Sequence, residues 1–407
     1  MRVLVVSWEY PPVVVGGLGR HVHSLAVHLA EAVHEVVVLA RQPTGSDAGT
    51  HPLSDTLVEG VRVIAVAEDP AHLVFTEDMM AWTLALGHAM VRAGLALDWR
   101  PQVVHAHDWL VAHAAIALAQ HFDVPLVATL HATEAGRHGG WISARMNRQV
   151  HSVEWWLARS ADALITCSAA MAAEVAELFG PELAPITLLH NGIDWDHWPS
   201  TPRAPRTGDP ILLFLGRLEW EKGIQDAIAG LARVRRTHPG TRLVVAGEGS
   251  QLGWLRDEAR RHRVVRAVTF LGHLQTSELL SWLSRADAVV LPSRYEPFGI
   301  VALEAAAAGA PLVASAAGGL GEAVLDGDTG LSFAAGDVAG LTTAVRTVLD
   351  DPEAAAQRAR RARARLDTDF NWTAIAAATV DVYASAKRRQ RGPLARPTIA
   401  ERPLPNR

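Results

Sequence analysis

The sequence predicts an α/β protein built from two doubly wound, Rossmann-like domains, on three observations. Short β-branched runs alternate with longer helical patterns from the start: RVLVVSW, GRHVHSLAVHLAEA and HEVVVLA, then PQVVHAH, PLVATLH and DALITCS. That alternation marks βαβ units around a parallel sheet. It breaks at WPSTPRAPRTGDP, where prolines, threonines and a glycine gather without an apolar period, as in a linker. A second series then begins with ILLFLGR, TRLVVAGEG, AVTFLGH, ADAVVLPS and PLVASAAGG.

The predicted boundaries are 1–198 for the first domain, 199–210 for the linker and 211–369 for the second domain. FNWTAIAAATVDVYASAKRR reads as an amphipathic helix, assigned to 370–390. The proline- and arginine-rich 391–407 has no core-forming pattern and is expected to be disordered. A length of 407 residues exceeds one ordinary core, and 49% hydrophobic with 20% charged residues is globular composition. The net charge of -5 argues against a nucleic-acid partner, so any phosphate site must be local. Cys167 stands alone, which excludes an internal disulfide and multi-cysteine metal sites. The opening MRVLVVSWEYPP lacks a small-residue cleavage site, and no run of about 18 uncharged apolar residues occurs. The expectation is a cytoplasmic protein without stable membrane insertion.

The most informative stretch is SRYEPFGIVALEAAAAG. ADAVVLPS before it reads as a buried strand, and IVALEAAAAG as a helix closed by Gly309. Glu296 then falls in the turn and Glu304 about two turns into the helix. The backbone N–H groups of Phe298, Gly299, Ile300 and Val301 become the free donors of a helix N-terminus, an anion site between two carboxylates. GRLEWEKG places Arg217 and Lys222 in the loop after the first strand of the second domain. A planar guanidinium and a mobile ammonium suit a diphosphate, although basic loop residues are also common solvated surface.

Other motifs divide between chemistry and plain structure. In GGLG, Gly16, Gly17 and Gly19 are wrongly spaced for a dinucleotide fingerprint, and HEVVVLAR ends in Arg41 rather than an acid. A nicotinamide dehydrogenase loses its support, leaving either a glycine turn or a loop that brings backbone to an anion. In HAHDWLVAH, His105 and His107 share a strand face near Asp108 and His113, but a metallohydrolase pattern needs one more residue before the aspartate. Asp194 and Asp196 form a D-x-D outside any sheet-end position, read as a solvated turn, so no metal is assigned. His131 closes PLVATLH at the carboxyl edge of the first sheet, where doubly wound folds bind ligands.

Together these pieces resemble the retaining GT-B glycosyltransferases of family 4, the group related to glycogen and sucrose synthases. The resemblance runs through WEYPPVVVGGLGRHV, HAHDW, LHAT, HNGID, GRLEWEKG, RYEPFGIVALEAAAAG and FNWTAIAAATVDVY, nearly the whole chain. WEYPPVVVGGLGRHV, DMMAWTLALGHAM and HATEAGRHGGW are particularly similar to family members that elongate α-1,4-glucans such as glycogen and methylglucose lipopolysaccharide. The resemblance implies an acceptor-binding first domain and a donor-binding second domain facing a central cleft, and a last helix crossing back to the first. It implies glucose transfer from UDP-glucose or ADP-glucose, with GDP-glucose a further candidate, to the non-reducing end of an α-glucan, without a cofactor. By the same resemblance Glu304 holds the ribose, Glu296 the sugar hydroxyls and His131 the region of the sugar 6-hydroxyl. Arg217 and Lys222 grip the diphosphate, helped by the backbone after Phe298 and by Gly17. Glu9, Asp108, Trp109 and Trp141, with Trp8, are candidates for an acceptor groove. Competing readings are another family-4 transfer such as mannosyl transfer, a metal hydrolase on His105 and His107, and a sugar-nucleotide sensor without turnover.

Overall fold

The computed structural model describes residues 1–70, 72–195, 198 and 208–389. The first part of the chain forms β1 (Arg2–Val6), α1 (Gly17–Glu31), β2 (Glu35–Arg41), β3 (Ser54–Val58), β4 (Val61–Val66), α2 (Met79–Leu95), β5 (Val103–His107), α3 (Ala112–Phe122), β6 (Leu126–Leu130), α4 (Glu134–Arg137), α5 (Arg145–Ser160), β7 (Ala163–Thr166), α6 (Ala169–Phe179) and β8 (Ile186–Leu188). Its strands make an eight-stranded sheet in the order β3-β4-β2-β1-β5-β6-β7-β8. All neighbours are parallel except β3, which runs antiparallel to β4 at the edge. The β3–β4 hairpin is an addition to the sequence reading; every residue of β3 is exposed, Leu57 and Val58 included, so no buried apolar run marks it.

The second part forms β9 (Ile211–Leu215), α7 (Ile224–Val234), β10 (Arg242–Ala246), α8 (Leu252–Arg261), β11 (Val268–Gly272), α9 (Thr276–Arg285), β12 (Ala288–Leu291), α10 (Ile300–Ala307), β13 (Leu312–Ser315), α11 (Leu320–Ala323), β14 (Leu331–Phe333), α12 (Val338–Asp350), α13 (Pro352–Asp369) and α14 (Trp372–Ser385). Its six strands pair in parallel in the order β11-β10-β9-β12-β13-β14. In each sheet the strand order reverses about the first strand, between β1 and β5 and between β9 and β12. Loops leaving the carboxyl ends of such a pair diverge to opposite sides and open a crevice between them. The glycine loop and HAHDW follow β1 and β5, while GRLEWEKG and SRYEPFG follow β9 and β12.

Runs such as VVVLA and AVVL are buried because helices cover both faces of a parallel sheet. α14 then leaves the second part and packs on the first. Trp372, Ile375, Ala376, Val382 and Tyr383 join Val3, Val5, Val22 and Leu25 in one buried cluster. Asn371 starts this helix by accepting the Ala374 N–H, and Phe370 just before it meets Phe298 edge-on with ring centroids 5.8 Å apart. Most of the proposed linker, residues 199–207, together with Asp196 and the tail 391–407, lies outside the described residues.

Candidate active-site cleft

The second-domain wall is built by two loops locked to each other. Lys222 ends a one-turn 3-10 helix, and Gly223 follows with φ 69°; a Cβ there would stand 1.9 Å from the Pro292 carbonyl oxygen. Only glycine allows that approach, and it brings the Lys222 loop onto the end of β12. Arg294 fixes the contact from the other side, donating to both carboxylate oxygens of Asp226 at 2.9 and 2.8 Å, while its own N–H reaches the Glu221 carbonyl at 2.7 Å. As a result Lys222 Nζ lies 2.7 Å from Glu296 Oε2, which also accepts the Ser293 hydroxyl at 3.0 Å. Arg217 is half exposed at the loop's start and donates to Glu221 Oε1 at 3.1 Å. Gly299, at φ 96°, turns the chain into α10. Among the described residues, the N–H groups of Phe298, Gly299, Ile300 and Val301 have no protein acceptor. Glu304 is the fifth residue of α10, so it stands little more than one turn from the helix start rather than two. Its buried carboxylate pairs with Arg20 of α1 across the cleft.

The first-domain wall carries the glycine loop and the ends of β5 and β6. A Cβ on Gly17 would stand 2.9 Å from Ile300 Cδ1, which places this loop directly over the start of α10. His131 follows β6, its N–H donating to Asp108 Oδ1 at 2.7 Å and its Nε2 lying 3.0 Å from His107 Nδ1. Asp108 adopts φ 62°, an uncommon conformation for a side-chain-bearing residue that turns the chain sharply after β5. Burial pushes its carboxyl up to about 6 despite the His131 N–H. Burial likewise pulls the His131 imidazole down to about 3, so it is neutral at pH 7.

Several acceptor candidates have other occupations. Glu9 is buried and its Oε2 gathers the N–H groups of Val15, Gly16 and Gly19 at 2.8, 2.9 and 3.3 Å, so it shapes the glycine loop instead of facing sugar. Trp109 is 6% exposed within the core and Asp108 is committed to the His131 backbone. Trp8 stacks on Phe75 with centroids 5.6 Å apart and lies under Arg41. Trp141 alone of the five tryptophan and acid candidates is open, at 58%. The His105/His107 metal pair does not form, because His105 meets Tyr383 and Thr129 through both ring nitrogens at 2.8 and 2.7 Å. Asp194 is tied to α1, accepting the Ser24 hydroxyl at 3.1 Å.

Sequence reasoning missed the residues that close the cleft. Tyr295 accepts the Thr133 N–H at 3.2 Å and donates to Glu174 at 3.0 Å, and its ring fills the space beside Gly136, where a Cβ would be 2.4 Å away. Glu322 caps α6 from the opposite domain, its two oxygens accepting the Ala169 and Ala170 N–H groups at 3.0 Å each. Ser168 donates to the Pro297 carbonyl at 2.6 Å. Tyr295 stood inside the quoted RYEPFG and Arg20 directly after GGLG, but contact between segments far apart in sequence has no local signal.

One buried acid behind this wall makes a stability prediction. Glu154 of α5 accepts the Glu134 N–H at 2.8 Å, and burial pushes its carboxyl up to about 8, against Arg137 and alongside Asp108 and Glu134. His151 is the other titratable neighbour, at 3.8 Å. A folded-state value above the unfolded one means that the native state holds the extra proton, so stability falls as pH rises from about 4.5 through about 8. Glu154→Gln keeps the acceptor and removes the titration. Its melting temperature relative to the parent is expected to rise between pH 6 and pH 9; a difference that does not change with pH would refute the assignment.

The two sheets, their switch-point crevice and the paired loops define a GT-B glycosyltransferase. The chain matches the description "Glycosyltransferase Family 4" over residues 15–197 and "Glycosyl transferases group 1" over residues 201–365, and it belongs to this family. It is 64% identical to the glycogen synthase of Mycobacterium tuberculosis across 100% of both chains. In fold it is similar to the sucrose-phosphate synthase of Thermosynechococcus elongatus, with TM-score 0.81 and 24% identity over 94% of this chain and 98% of that one. The catalytic domain of starch synthase IV from Arabidopsis thaliana, solved with ADP and acarbose, gives TM-score 0.72 and 18% identity over 95% and 99%. No described helix is long and apolar enough to cross a membrane.

Proposed function

We propose that the protein is a cytoplasmic glucosyltransferase that moves glucose from UDP-glucose or ADP-glucose to the non-reducing end of an α-1,4-glucan, with retention at the anomeric carbon. The observation that carries this is the meeting of Lys222 Nζ and Glu296 Oε2 at 2.7 Å beside the unpartnered N–H groups that begin α10. A cation, a hydroxyl-binding acid and a helix start lie side by side, which is what the two ends of a diphosphate–sugar bond require. The near-identity in length and the 64% identity with a glycogen synthase support the glucan as acceptor.

In this reading the second domain binds the donor and the first binds the acceptor. Cleavage of the anomeric bond puts negative charge on the leaving diphosphate, and Lys222, Arg217 and the aligned amides stabilise it without a metal. Glu304 receives the ribose hydroxyls, exchanging its Arg20 partner for them. His131, held neutral, orients the sugar from the opposite wall. The acceptor hydroxyl attacks on the face the diphosphate leaves, through an oxocarbenium-like state, and the phosphate takes its proton. Glu296, held through Oε2 by Lys222 and Ser293, is read as a binder of sugar hydroxyls and not as a covalent nucleophile.

The test offers UDP-, ADP- and GDP-glucose with a maltooligosaccharide and follows chain growth and anomeric configuration. Growth with a new α-1,4 bond from at least one donor is expected; hydrolysis alone, or transfer only from a mannosyl donor, would sink the reading. Transfer is also expected to continue in excess EDTA, because the cationic groups are side chains. Loss in EDTA with recovery in Mn²⁺ would return the metal role to Asp194 and Asp196.

A further inference from the structure

We propose that His21, His107 and His131 form a binding site for a borderline-soft divalent cation, Zn²⁺ foremost, and that its occupation inhibits transfer by withdrawing His131 from the donor sugar. The inhibitory half rests on the placement of His131 given above. His21 comes from α1, His107 ends β5 and His131 follows β6, so three separate elements converge at the floor of the cleft. One ligand nitrogen from each lies within 4.8 Å of the others. His107 Nδ1 and His131 Nε2 are already 3.0 Å apart, and the His21 ring meets His131 edge-on at a centroid distance of 4.6 Å. Zinc–nitrogen bonds of about 2.0–2.1 Å at tetrahedral angles set ligand nitrogens about 3.3 Å apart. The His107–His131 pair is near that spacing, and His21, within 4.8 Å of both, has at most about 1.5 Å to close.

The chemistry of the donor set agrees. His21 Nδ1 is buried with no hydrogen-bond partner, which is uncommon for a buried polar atom and leaves its lone pair or proton unused in the cluster. The hydrogen bond between His107 Nδ1 and His131 Nε2 holds a proton on one of the two facing nitrogens, so binding of a cation moves that proton to the far nitrogen of the same ring, a change of tautomer without net proton release. Neighbours restrain the rings: His105, fixed by Tyr383 and Thr129, lies against His107 with centroids 4.1 Å apart, and Trp372 meets His21 at 5.2 Å. Three neutral nitrogens and no free carboxylate, Asp108 being engaged by the His131 N–H, select Zn²⁺, Co²⁺, Ni²⁺ or Cu²⁺ over Mg²⁺ and Ca²⁺. The site differs from the His105/His107 pair that the sequence suggests, and it regulates the reaction instead of driving it.

The experiment titrates the full chain, first stripped with chelator, with CoCl₂ and reads the visible absorption of nitrogen-ligated Co²⁺, then displaces it with Zn²⁺. One Co²⁺ per chain is expected, with Zn²⁺ displacing it, and His21→Gln should weaken binding by about tenfold or more. In the transfer assay Zn²⁺ should inhibit the parent, EDTA should restore it, and the Zn²⁺ sensitivity of His21→Gln should fall in proportion to its lost affinity. His107→Gln serves where His21→Gln does not fold, since the Trp372 contact is lost in the latter. No absorption band, or a band indifferent to both substitutions, overturns the site. A His21-dependent band with undiminished transfer overturns the inhibition and, with it, the placement of His131. Failure of metal-free enzyme to transfer glucose from any donor would instead fault the functional reading, leaving the spectroscopic result to stand by itself.

Discussion

Replacing Lys222 with alanine is expected to lower the turnover number by about 10²-fold or more, with the fold preserved. Removing one fixed donor from a site of developing negative charge typically costs about 10²–10³ in rate. Lys222 is well placed for that loss because Gly223 and the Arg294–Asp226 pair hold its loop against the end of β12, so its ammonium is fixed before the donor binds. Arg217→Ala should act in the same direction and by a comparable factor, although its side chain is half exposed and held only through Glu221. Loss of Lys222 leaves Glu296 with the Ser293 hydroxyl and partial access to solvent, so the cost to folding is small. The measurement is steady-state transfer with saturating donor, beside circular dichroism and a melting curve. Near-parental turnover in a correctly folded Lys222→Ala variant would count against the diphosphate role.

What the sequence made readable was whatever is local. Buried parallel strands show themselves as uninterrupted apolar runs, so β1, β2, β5, β9, β10 and β12 were plain, and the Gly-rich turn into α10 was plain from EPFG. β3 mixes Ser54 and Asp55 with exposed Leu57 and Val58, and β8 and β14 are only three residues long, too short for a run or an alternation to stand out. The candidate site divides in the same way. His131 follows directly on β6, while Lys222 and Glu296 lie in the loops after β9 and β12, so their nearness to a sheet's carboxyl edge was readable from the order of strands and their proposed roles only from the resemblance. Glu9 and Trp109 sit beside strand ends too, yet one folds back on the glycine loop and the other into the core, because burial depends on partners elsewhere in the chain. Arg20, Tyr295 and Glu322 bridge the two domains, and each partner lies more than a hundred residues away. The His21–His107–His131 cluster is hidden for the same reason: the sequence offered His105 as the partner of His107, and Tyr383 from the far end of the chain removes it.

The last expectation concerns that far end. Ending the chain before Phe370 should abolish transfer, whereas ending it after Arg391 should leave transfer nearly intact. α14 buries Trp372, Ile375, Val382 and Tyr383 against β1 and α1, and burial of such side chains contributes about 1.5–3 kcal/mol each. Their sum is comparable to the whole stability of an ordinary domain, about 5–15 kcal/mol. The loss also reaches the cleft directly. Tyr383 holds the His105 ring at 2.8 Å, Trp372 packs on His21, and the Phe370 carbonyl accepts the Ile193 N–H at 3.0 Å, so removing them loosens the floor beneath His131 and the crossing between domains. Trp372→Ala, a milder form of the same lesion, should cost about 3–5 kcal/mol. Differential scanning fluorimetry and the maltooligosaccharide assay together read both consequences. Full transfer by the chain ending at residue 369 would refute the helix's role in joining the domains, and a fall in transfer from loss of 392–407 alone would give the tail a part that nothing in the described residues requires.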